Sequence, residues 1–137
     1  MGEVRVTATI TNALDEALAR RGQMPSADIR RYEADAMIDT GAVRSVIPSH
    51  VAQKLGLASR GQRVVEYTDG RKEAVDVTEP VAISILGRDT LEEALVLGDE
   101  VLIGQTVLEK LDIIVDCNSG RVAPNPAHPD QPVTKVK

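Results

Sequence analysis

The sequence predicts an all-β, barrel-like domain with one or two short helices. The chain has 137 residues and is 42% hydrophobic, yet it contains two tyrosines and no Phe or Trp, so its core must be built from Val, Ile, Leu and Ala. The β-branched members of this set favour strands. Many short segments also alternate apolar and polar residues. Two of these segments flank Asp69-Gly70, and an Asp-Gly pair in that position is a strong hairpin signal.

The first third of the chain predicts two strands around a short helix. Residues 4–10 alternate apolar and polar side chains, as a half-buried strand does. Asn12 is a typical helix N-cap and Gly22 is a typical helix end, so we expect a short helix between them. A second strand is expected over residues 29–38, directly before Asp39-Thr40-Gly41.

Short strands and two further helices are predicted in the rest of the chain. Pro48-Ser49 opens a helix that carries Val51 and Leu55 on one face and ends at Gly56. A helix is also predicted over residues 105–111. The Asp69-Gly70 hairpin joins strands 64–68 and 71–77. The other predicted strands are residues 43–47, 81–86, 91–97, 101–103 and 113–115 and a last one near Val122, with a turn at 87–89.

The chain is predicted to form one domain over residues 1–125, followed by a flexible tail over residues 126–137. A chain of this length fits one domain with a core of its own. From Pro124 onward the sequence is polar and contains four prolines. Such a composition favours an extended, mobile segment.

Composition also excludes several classes of function. The formal net charge is −5 and the residues that stack on bases are almost absent, which argues against nucleic-acid binding. No apolar run approaches the roughly 20 residues of a membrane span. One cysteine and two histidines are too few for a zinc cluster or an internal disulfide. We therefore expect no metal or organic cofactor and, because the N-terminus lacks an apolar signal core, a cytoplasmic location.

Asp39 is the residue with the clearest chemical potential. It lies where an apolar strand runs into a glycine turn, and burying a carboxylate there is costly unless neighbouring groups donate hydrogen bonds to it. Gly41 permits a close approach of the backbone, and Thr40 brings a hydroxyl that can brace the turn. Taken alone, the triplet indicates a plain turn, because Asp-Thr-Gly occurs by chance in many proteins.

The wider pattern resembles the active-site motif of the retroviral-type (retropepsin-like) aspartic proteases. In that motif two apolar residues precede Asp-Thr-Gly-Ala, and two variable residues, Ser or Thr and two apolar residues follow. Residues 37–42 and 45–47 fill each position. The family's later apolar-apolar-Gly signature, followed by a helix, resembles Leu102-Ile103-Gly104. The resemblance covers residues 4–122 and implies a closed acid-protease barrel with a flap hairpin.

The resemblance implies an aspartic endopeptidase that cleaves extended peptide or protein substrates. Such enzymes need two neighbouring carboxylates that share one proton, so activity below neutral pH is expected. This chain carries a single Asp-Thr-Gly. A symmetric homodimer is therefore implied, in which Asp39 of each subunit meets across the two-fold axis.

Individual roles follow from the same resemblance. Asp39 would be the catalytic carboxylate. The residues implied to support the active site are Thr40, Gly41, Ala42, Ser45, Ile103 and Gly104. The residues implied to form the flap and bind substrate are Tyr67, Thr68, Asp69, Gly70 and Arg71. Tyr67 has a second interpretation, a simple pairing across the hairpin.

Two departures from the family pattern keep an alternative open. Retroviral members carry an ion pair that supports the dimer at the positions of Val43 and Gln105. The Pro-rich tail is also a poor strand for an intersubunit sheet. The alternative is a non-catalytic peptide-binding or dimerisation module with the acid-protease fold. A further alternative is an unrelated barrel with Asp39 at its surface.

Other polar residues have simpler interpretations. Asp116 is predicted to cap a turn, Cys117 to be small and partly buried, and His50 to lie at the surface. Arg44 is interpreted either as a selector of acidic substrate groups or as a solvated side chain. The acidic pairs Glu92-Glu93 and Asp99-Glu100 are predicted to be exposed loop charges.

Overall fold

The computed structural model describes residues 3–136, which contain eleven strands and three short α-helices joined by loops. The helices are α1 (Ala13–Arg20), α2 (Ser49–Lys54) and α3 (Gln105–Leu111), and a 3-10 turn spans Ser26–Asp28. The strands are β1 (Val4–Asn12), β2 (Arg31–Ile38), β3 (Val46–Ile47), β4 (Ser59–Glu66), β5 (Lys72–Thr78), β6 (Val81–Ile85), β7 (Arg88–Glu92), β8 (Leu95–Val96), β9 (Leu102–Ile103), β10 (Ile113–Asp116) and β11 (Arg121–Pro124). None of the described helices is long and apolar enough to cross a membrane.

Nine strands form one mixed sheet in the order β4-β5-β8-β3-β9-β2-β1-β6-β7. The sheet curls into a half-barrel, so the predicted all-β class is confirmed. It ends on two edge strands, β4 and β7, rather than closing. Strands β10 and β11 form a separate two-stranded antiparallel sheet. Strand β2 leads directly into Asp39, its neighbour β9 leads into α3, and β3 follows the Asp39 loop.

The predicted hairpin turn and helices agree with the structure, whereas several strand bounds were wrong. The first hairpin strand, predicted at 64–68, is β4 and spans Ser59–Glu66. β4 and β5 pair antiparallel, with Glu66 opposite Lys72 on either side of the Asp69-Gly70 turn. The predicted strand 43–47 shrinks to β3, because the carbonyl groups of residues 42 and 43 bond to the start of α3 instead. The predicted turn 87–89 is also wrong, since Arg88 already belongs to β7 and is buried. The predicted strand 91–97 is interrupted, because β7 ends at Glu92 and β8 begins at Leu95.

The core is built from aliphatic side chains, as the composition requires. Its main cluster joins β1, β2 and β6 with one face of α2 and of α3, and includes Ile10, Leu55, Ile83 and Leu111, each at most 1% exposed. A smaller cluster of Val46, Val75, Val77 and Leu95 joins the hairpin to the strands below it. This second cluster is the apolar link between the hairpin and the rest of the domain.

A buried carboxylate that the sequence did not reveal fixes the first helix. The Asn12 side chain caps α1 by accepting the Asp15 N–H at 3.0 Å, as predicted for the N-cap. Asp15 itself is 1% exposed and accepts hydrogen bonds from Nε and Nη2 of Arg30 at 2.8 and 2.9 Å. The Arg30 side chain is the main cause that lowers the pKa of Asp15. This pair ties α1 to the segment that leads into β2.

Residues 125–136 form no helix or strand, but part of this segment contacts the domain. Asp112 accepts hydrogen bonds from the Asn125 side chain and from the Val133 N–H, and its Oδ2 lies 2.6 Å from Nδ1 of His128. The Asn125 side chain is the largest of the causes that lower the pKa of Asp112. Buried Arg88 donates to the carbonyl of His128. The segment is therefore tied to the domain up to Val133.

Candidate active site

Asp39 is positioned by the pairing of β2 with β9. These strands run parallel, with Met37 opposite Leu102 and Ile38 opposite Ile103. The ladder continues one residue further, where the Asp39 N–H donates to the Ile103 carbonyl at 2.9 Å. The Asp39 side chain leaves the sheet there and is half-buried. The two sequence signatures, some sixty residues apart in the chain, are thus neighbours in space.

A tight turn holds the Asp39 carboxylate. Its Oδ1 accepts the Gly41 N–H at 3.1 Å, and its main-chain carbonyl accepts the Ala42 N–H at 3.1 Å. A Cβ atom at Gly41 would lie 3.3 Å from that carboxylate oxygen, which is a tight contact. Thr40 is exposed at the top of the turn. The Asp39 carboxylate is therefore oriented by its own loop and remains open on the outer side.

The start of α3 locks the second half of the loop. The Gln105 N–H donates to the Ala42 carbonyl at 2.8 Å and the Thr106 N–H to the Val43 carbonyl at 3.1 Å. These N–H groups belong to the first turn of a helix, where no partner within the helix exists. The loop carbonyls thus provide hydrogen-bond acceptors for the first N–H groups of α3, and the same hydrogen bonds hold the loop in place.

Gly104 is required for this close approach. Its N–H donates to Oγ of Ser45 at 3.0 Å. A Cβ atom at this position would lie 2.6 Å from the carbonyl carbon and oxygen of Arg44 and 2.8 Å from the Val43 oxygen. Backbone atoms cannot yield as the end of a flexible side chain can, so any larger residue must push the loop away.

A groove of about 470 Å³ separates the Asp39 loop from the hairpin. Gly41, Ala42 and Val43 line one wall, and residues 64–67 of the hairpin line the other. Val46, Leu95 and Leu97 lie between the two walls. Most of the lining is therefore aliphatic, and its polar part comes from Arg44, Glu66 and Tyr67.

The tip of the hairpin is held by contacts within itself. The Tyr67 hydroxyl donates to Glu73 Oε1 at 2.6 Å, and the Arg71 guanidinium lies 4.5 Å from the centroid of the Tyr67 ring. Arg71 also donates from its backbone N–H and from Nε to the Asp69 carboxylate, which lowers the pKa of Asp69. Tyr67 both pairs across the hairpin and lines the groove, whereas residues 68–71 are exposed at the tip.

Several polar residues differ from their predicted environment. Glu92 is buried and accepts hydrogen bonds from the active-site loop and from α3, so its prediction as an exposed loop charge was wrong. Cys117 is exposed, because it lies at the β10–β11 turn. Arg44 is neither solvated nor free, since it donates to the Glu93 carbonyl at 2.9 Å and lies 3.7 Å from its carboxylate.

Two minor predictions were correct. Asp116 caps the turn before β11 by accepting the N–H groups of Asn118 and Ser119, and these contacts lower its pKa, with Ser119 the larger cause. His50 is exposed.

Within residues 3–136 the Asp39 carboxylate receives only the hydrogen bond from its own loop. The same residues contain no group of three His, Cys, Asp or Glu side chains placed to hold a metal ion. One chain therefore presents one half-buried carboxylate, in the loop whose following residues, 41–43, line one wall of an apolar groove.

Comparison with known proteins defines the family. The family described as "gag-polyprotein putative aspartyl protease" matches residues 25–110, which include the Asp39 loop, the hairpin and α3. The chain therefore belongs to this retropepsin-like aspartic protease family. No curated protein matches the chain.

The solved structures to which this chain is similar include a retroviral protease-like domain and a viral protease. The retroviral protease-like domain of Ddi1 from Leishmania major is 15% identical, with 92% of this chain and 90% of that chain covered at a TM-score of 0.55. The protease of Simian Foamy Virus (mac) is 16% identical, with 76% of this chain and 90% of that chain covered at a TM-score of 0.48. At these identities the Ddi1 likeness shows the fold alone.

Proposed function

We propose that this protein is an aspartic endopeptidase whose active form is a homodimer that pairs the Asp39 carboxylates of two copies. The observation that carries the proposal is the half-buried Asp39 carboxylate in a loop that is bonded to β9 and α3 and that faces the hairpin across an apolar groove. Asp-Thr-Gly in a family of aspartic proteases supports the same assignment.

The proposed reaction uses one proton shared by two carboxyl groups. Two carboxylates in contact cannot both ionise, so the pair carries a single proton at mildly acidic pH. The ionised member accepts a proton from water, and the water oxygen attacks the peptide carbonyl carbon while the protonated member donates to the carbonyl oxygen. The member that took the proton from water then donates it to the amide nitrogen, while the other member takes a proton from a hydroxyl of the tetrahedral intermediate. The C–N bond breaks, the amine and the carboxylic acid leave, and the pair again holds one proton.

The groove supports an extended, apolar substrate. Its aliphatic lining favours Val, Ile or Leu side chains, because their burial removes apolar surface from water. The hairpin wall can pair with an extended peptide through backbone hydrogen bonds, as strand addition does elsewhere. We assign Gly41 and Ala42 to the substrate-facing side of the loop, Thr40 to the contact between the two loops, and residues 67–71 to the flap. Ser45, Ile103 and Gly104 support the loop from behind.

The proposed dimer requires contacts other than the ion pair found in retroviral relatives. Val43 is 66% exposed, and the Gln105 side chain lies 3.4 Å from Glu109 of its own helix. The outer edge of β10 is unpaired within residues 3–136 and carries the exposed Ile114. A free strand edge pairs readily with a second strand, so this edge supports self-association.

The test is cleavage of a diverse peptide library, read by mass spectrometry from about pH 4 to about pH 7, a range that brackets a shared-proton carboxylate pair. Asp39→Asn should abolish cleavage, because the amide cannot take the proton from water. Asp35→Asn is the matched control, since Asp35 is an exposed carboxylate on β2, the strand that leads into Asp39. Equal cleavage by Asp39→Asn and the wild type would contradict the proposal.

A second candidate is a peptide-binding or dimerisation module without catalysis. The exposed Val43 and the internally paired Gln105 favour it, because they remove one known support of the active dimer. This candidate predicts that library peptides bind without turnover and that Asp39→Asn leaves their binding unchanged.

A further inference from the structure

Glu92 is a buried carboxylate whose side chain contacts the active-site loop directly. It is the last residue of β7, and its side chain is 4% exposed. The nearest cationic group is Nζ of Lys110, at 3.9 Å, and that ammonium donates to the Leu91 carbonyl at 2.9 Å. A carboxyl group is costly to bury without specific hydrogen bonds, so its contacts identify its role.

Those contacts join three separate segments of the chain. Glu92 Oε2 accepts the Ser45 N–H at 3.1 Å, and Oε1 lies 2.6 Å from the Thr106 hydroxyl oxygen. The same Thr106 hydroxyl lies 2.9 Å from the Val43 carbonyl oxygen. One carboxyl group therefore bridges β7, the loop that follows Asp39 and the first turn of α3.

The bridge reaches Asp39 through two further hydrogen bonds. The Ser45 N–H donates to Glu92, and the Ser45 hydroxyl oxygen accepts the Gly104 N–H at 3.0 Å. The residue before Gly104 is Ile103, whose carbonyl accepts the Asp39 N–H at 2.9 Å. Displacing Ser45 thus shifts the segment on which the Asp39 backbone rests.

We infer that Glu92 is a positioning residue for the Asp39 loop. The inference rests on the proposed function for its catalytic consequence, whereas its effect on loop order is independent of catalysis. The geometry requires two hydrogen-bonding atoms at the end of the Glu92 side chain, one for the Ser45 N–H and one for the Thr106 hydroxyl. It does not require that this side chain be negatively charged. A glutamine meets both, because its amide oxygen accepts the Ser45 N–H and its NH₂ donates to the Thr106 oxygen, which leaves the Thr106 proton for the Val43 carbonyl.

The experiment compares Glu92→Ala with Glu92→Gln in two measurements on the full chain. Amide hydrogen exchange, read by mass spectrometry, should be about tenfold faster over residues 39–46 in Glu92→Ala and close to the wild type in Glu92→Gln. Cleavage of the best library peptide should show kcat lowered about 10- to 100-fold by Glu92→Ala, because small displacements of reacting groups are costly, with KM little changed. Glu92→Gln should retain kcat within about threefold.

Asp15→Asn is the control for a general loss of stability. Asp15 is equally buried, but its partner is Arg30 and not the loop. This variant should lower the melting temperature without faster exchange over residues 39–46 relative to the rest of the chain. If Glu92→Ala does not fold, Thr106→Val removes the hydroxyl from the same bridge at nearly constant shape and should speed exchange in the same segment.

Three results would overturn the inference. The first is unchanged amide exchange over residues 39–46 in Glu92→Ala, or in Thr106→Val if Glu92→Ala does not fold. The second is a loss of kcat and of exchange protection in Glu92→Gln as large as in Glu92→Ala. The third is faster exchange confined to residues 39–46 in Asp15→Asn. A wild type that cleaves no peptide would contradict the proposed function alone, because the exchange measurement would still decide whether Glu92 positions the loop.

Discussion

The Asp39 loop forms hydrogen bonds with β9, β7 and α3, whereas the tip of the facing hairpin is bonded to its own residues. Residues 39–45 are fixed by Ile103, Gln105, Thr106 and Glu92, all distant in sequence. At the tip, Tyr67, Asp69, Arg71 and Glu73 bond to one another across a few residues. The Asp39 loop is therefore held in one place by residues that are distant in sequence. The hairpin tip is held only by local contacts, which allow it to move as a unit.

This difference suits the proposed function. A pair of carboxylates must be held within a fraction of an ångström to share a proton, and a rigid base provides that. A substrate must enter the groove and leave it, which a hairpin anchored at its base permits. The base of the hairpin is held by the β5–β8 pairing and by the cluster around Val77 and Leu95. Variants of each region should therefore have distinct effects.

Gly104→Ala should have the largest effect, because it breaks the packing of α3 against the loop. The new methyl group would collide with the backbone at Arg44 and Val43. We expect a loss of about 3 kcal/mol in the free energy of unfolding and of any peptidase activity. Gly87→Ala is the matched control: Gly87 has φ +79° but open space around it, so only about 1 kcal/mol should be lost and activity retained. Urea unfolding measures the free energy of unfolding of both variants, and peptide cleavage measures their activity. Equal losses of stability and activity in Gly104→Ala and Gly87→Ala would contradict the role of Gly104.

Asp15→Asn should separate the stability of the fold from the integrity of the site. Because Arg30 lowers the pKa of Asp15 below its ordinary value, the carboxylate stabilises the fold above about pH 4 and this contribution is lost as pH falls through the lowered pKa. We expect the variant to be about 2 kcal/mol less stable at pH 7 and the difference to shrink below about pH 4. Denaturant unfolding at pH 7 and at about pH 3 checks this, and a difference that grows at low pH would refute it.

Tyr67→Phe should have the smallest effect, and only on the hairpin. It removes the hydroxyl contact with Glu73 at an exposed position while the ring and its contact with Arg71 remain. The melting temperature should change by less than about 2 °C. For substrate cleavage we expect KM to rise by a factor of about 2 to 5 with kcat nearly constant, because substrate binding and not the carboxylate pair is altered. A large fall in kcat at constant KM would show that the tip and the loop are coupled.

The elements that the sequence predicted are those with local signals. Helix α3 follows Gly104 over the residues expected, and the Asp69-Gly70 hairpin pairs as expected, because a turn, a cap or a short apolar period defines each of them. The parallel pairing of β2 with β9 was not predicted, because it joins segments about sixty residues apart in the chain.

The features that escaped prediction depend on contacts between distant residues. Glu92, Asp15 and Arg88 are charged, and charged residues in short alternating segments are usually exposed. Each is buried here because its partner comes from another element: Ser45 for Glu92, Arg30 for Asp15 and the end of α3 for Arg88. No local signal marked Glu92: its neighbour Leu91 is 53% exposed, whereas alternation along β7 would place the apolar Leu91 inside and Glu92 outside.

The most direct test of the central claim is a subunit-mixing measurement. Inactive Asp39→Asn protein is added to a fixed amount of the wild type, and peptide cleavage is measured after the subunits have exchanged. If two Asp39 carboxylates from different chains form the site, an equal amount of the variant should leave about half of the activity and a ninefold excess about a tenth, because mixed dimers contain one carboxylate. Asp35→Asn, added in the same way, should not inhibit. Activity that stays constant as Asp39→Asn is added would contradict a shared site.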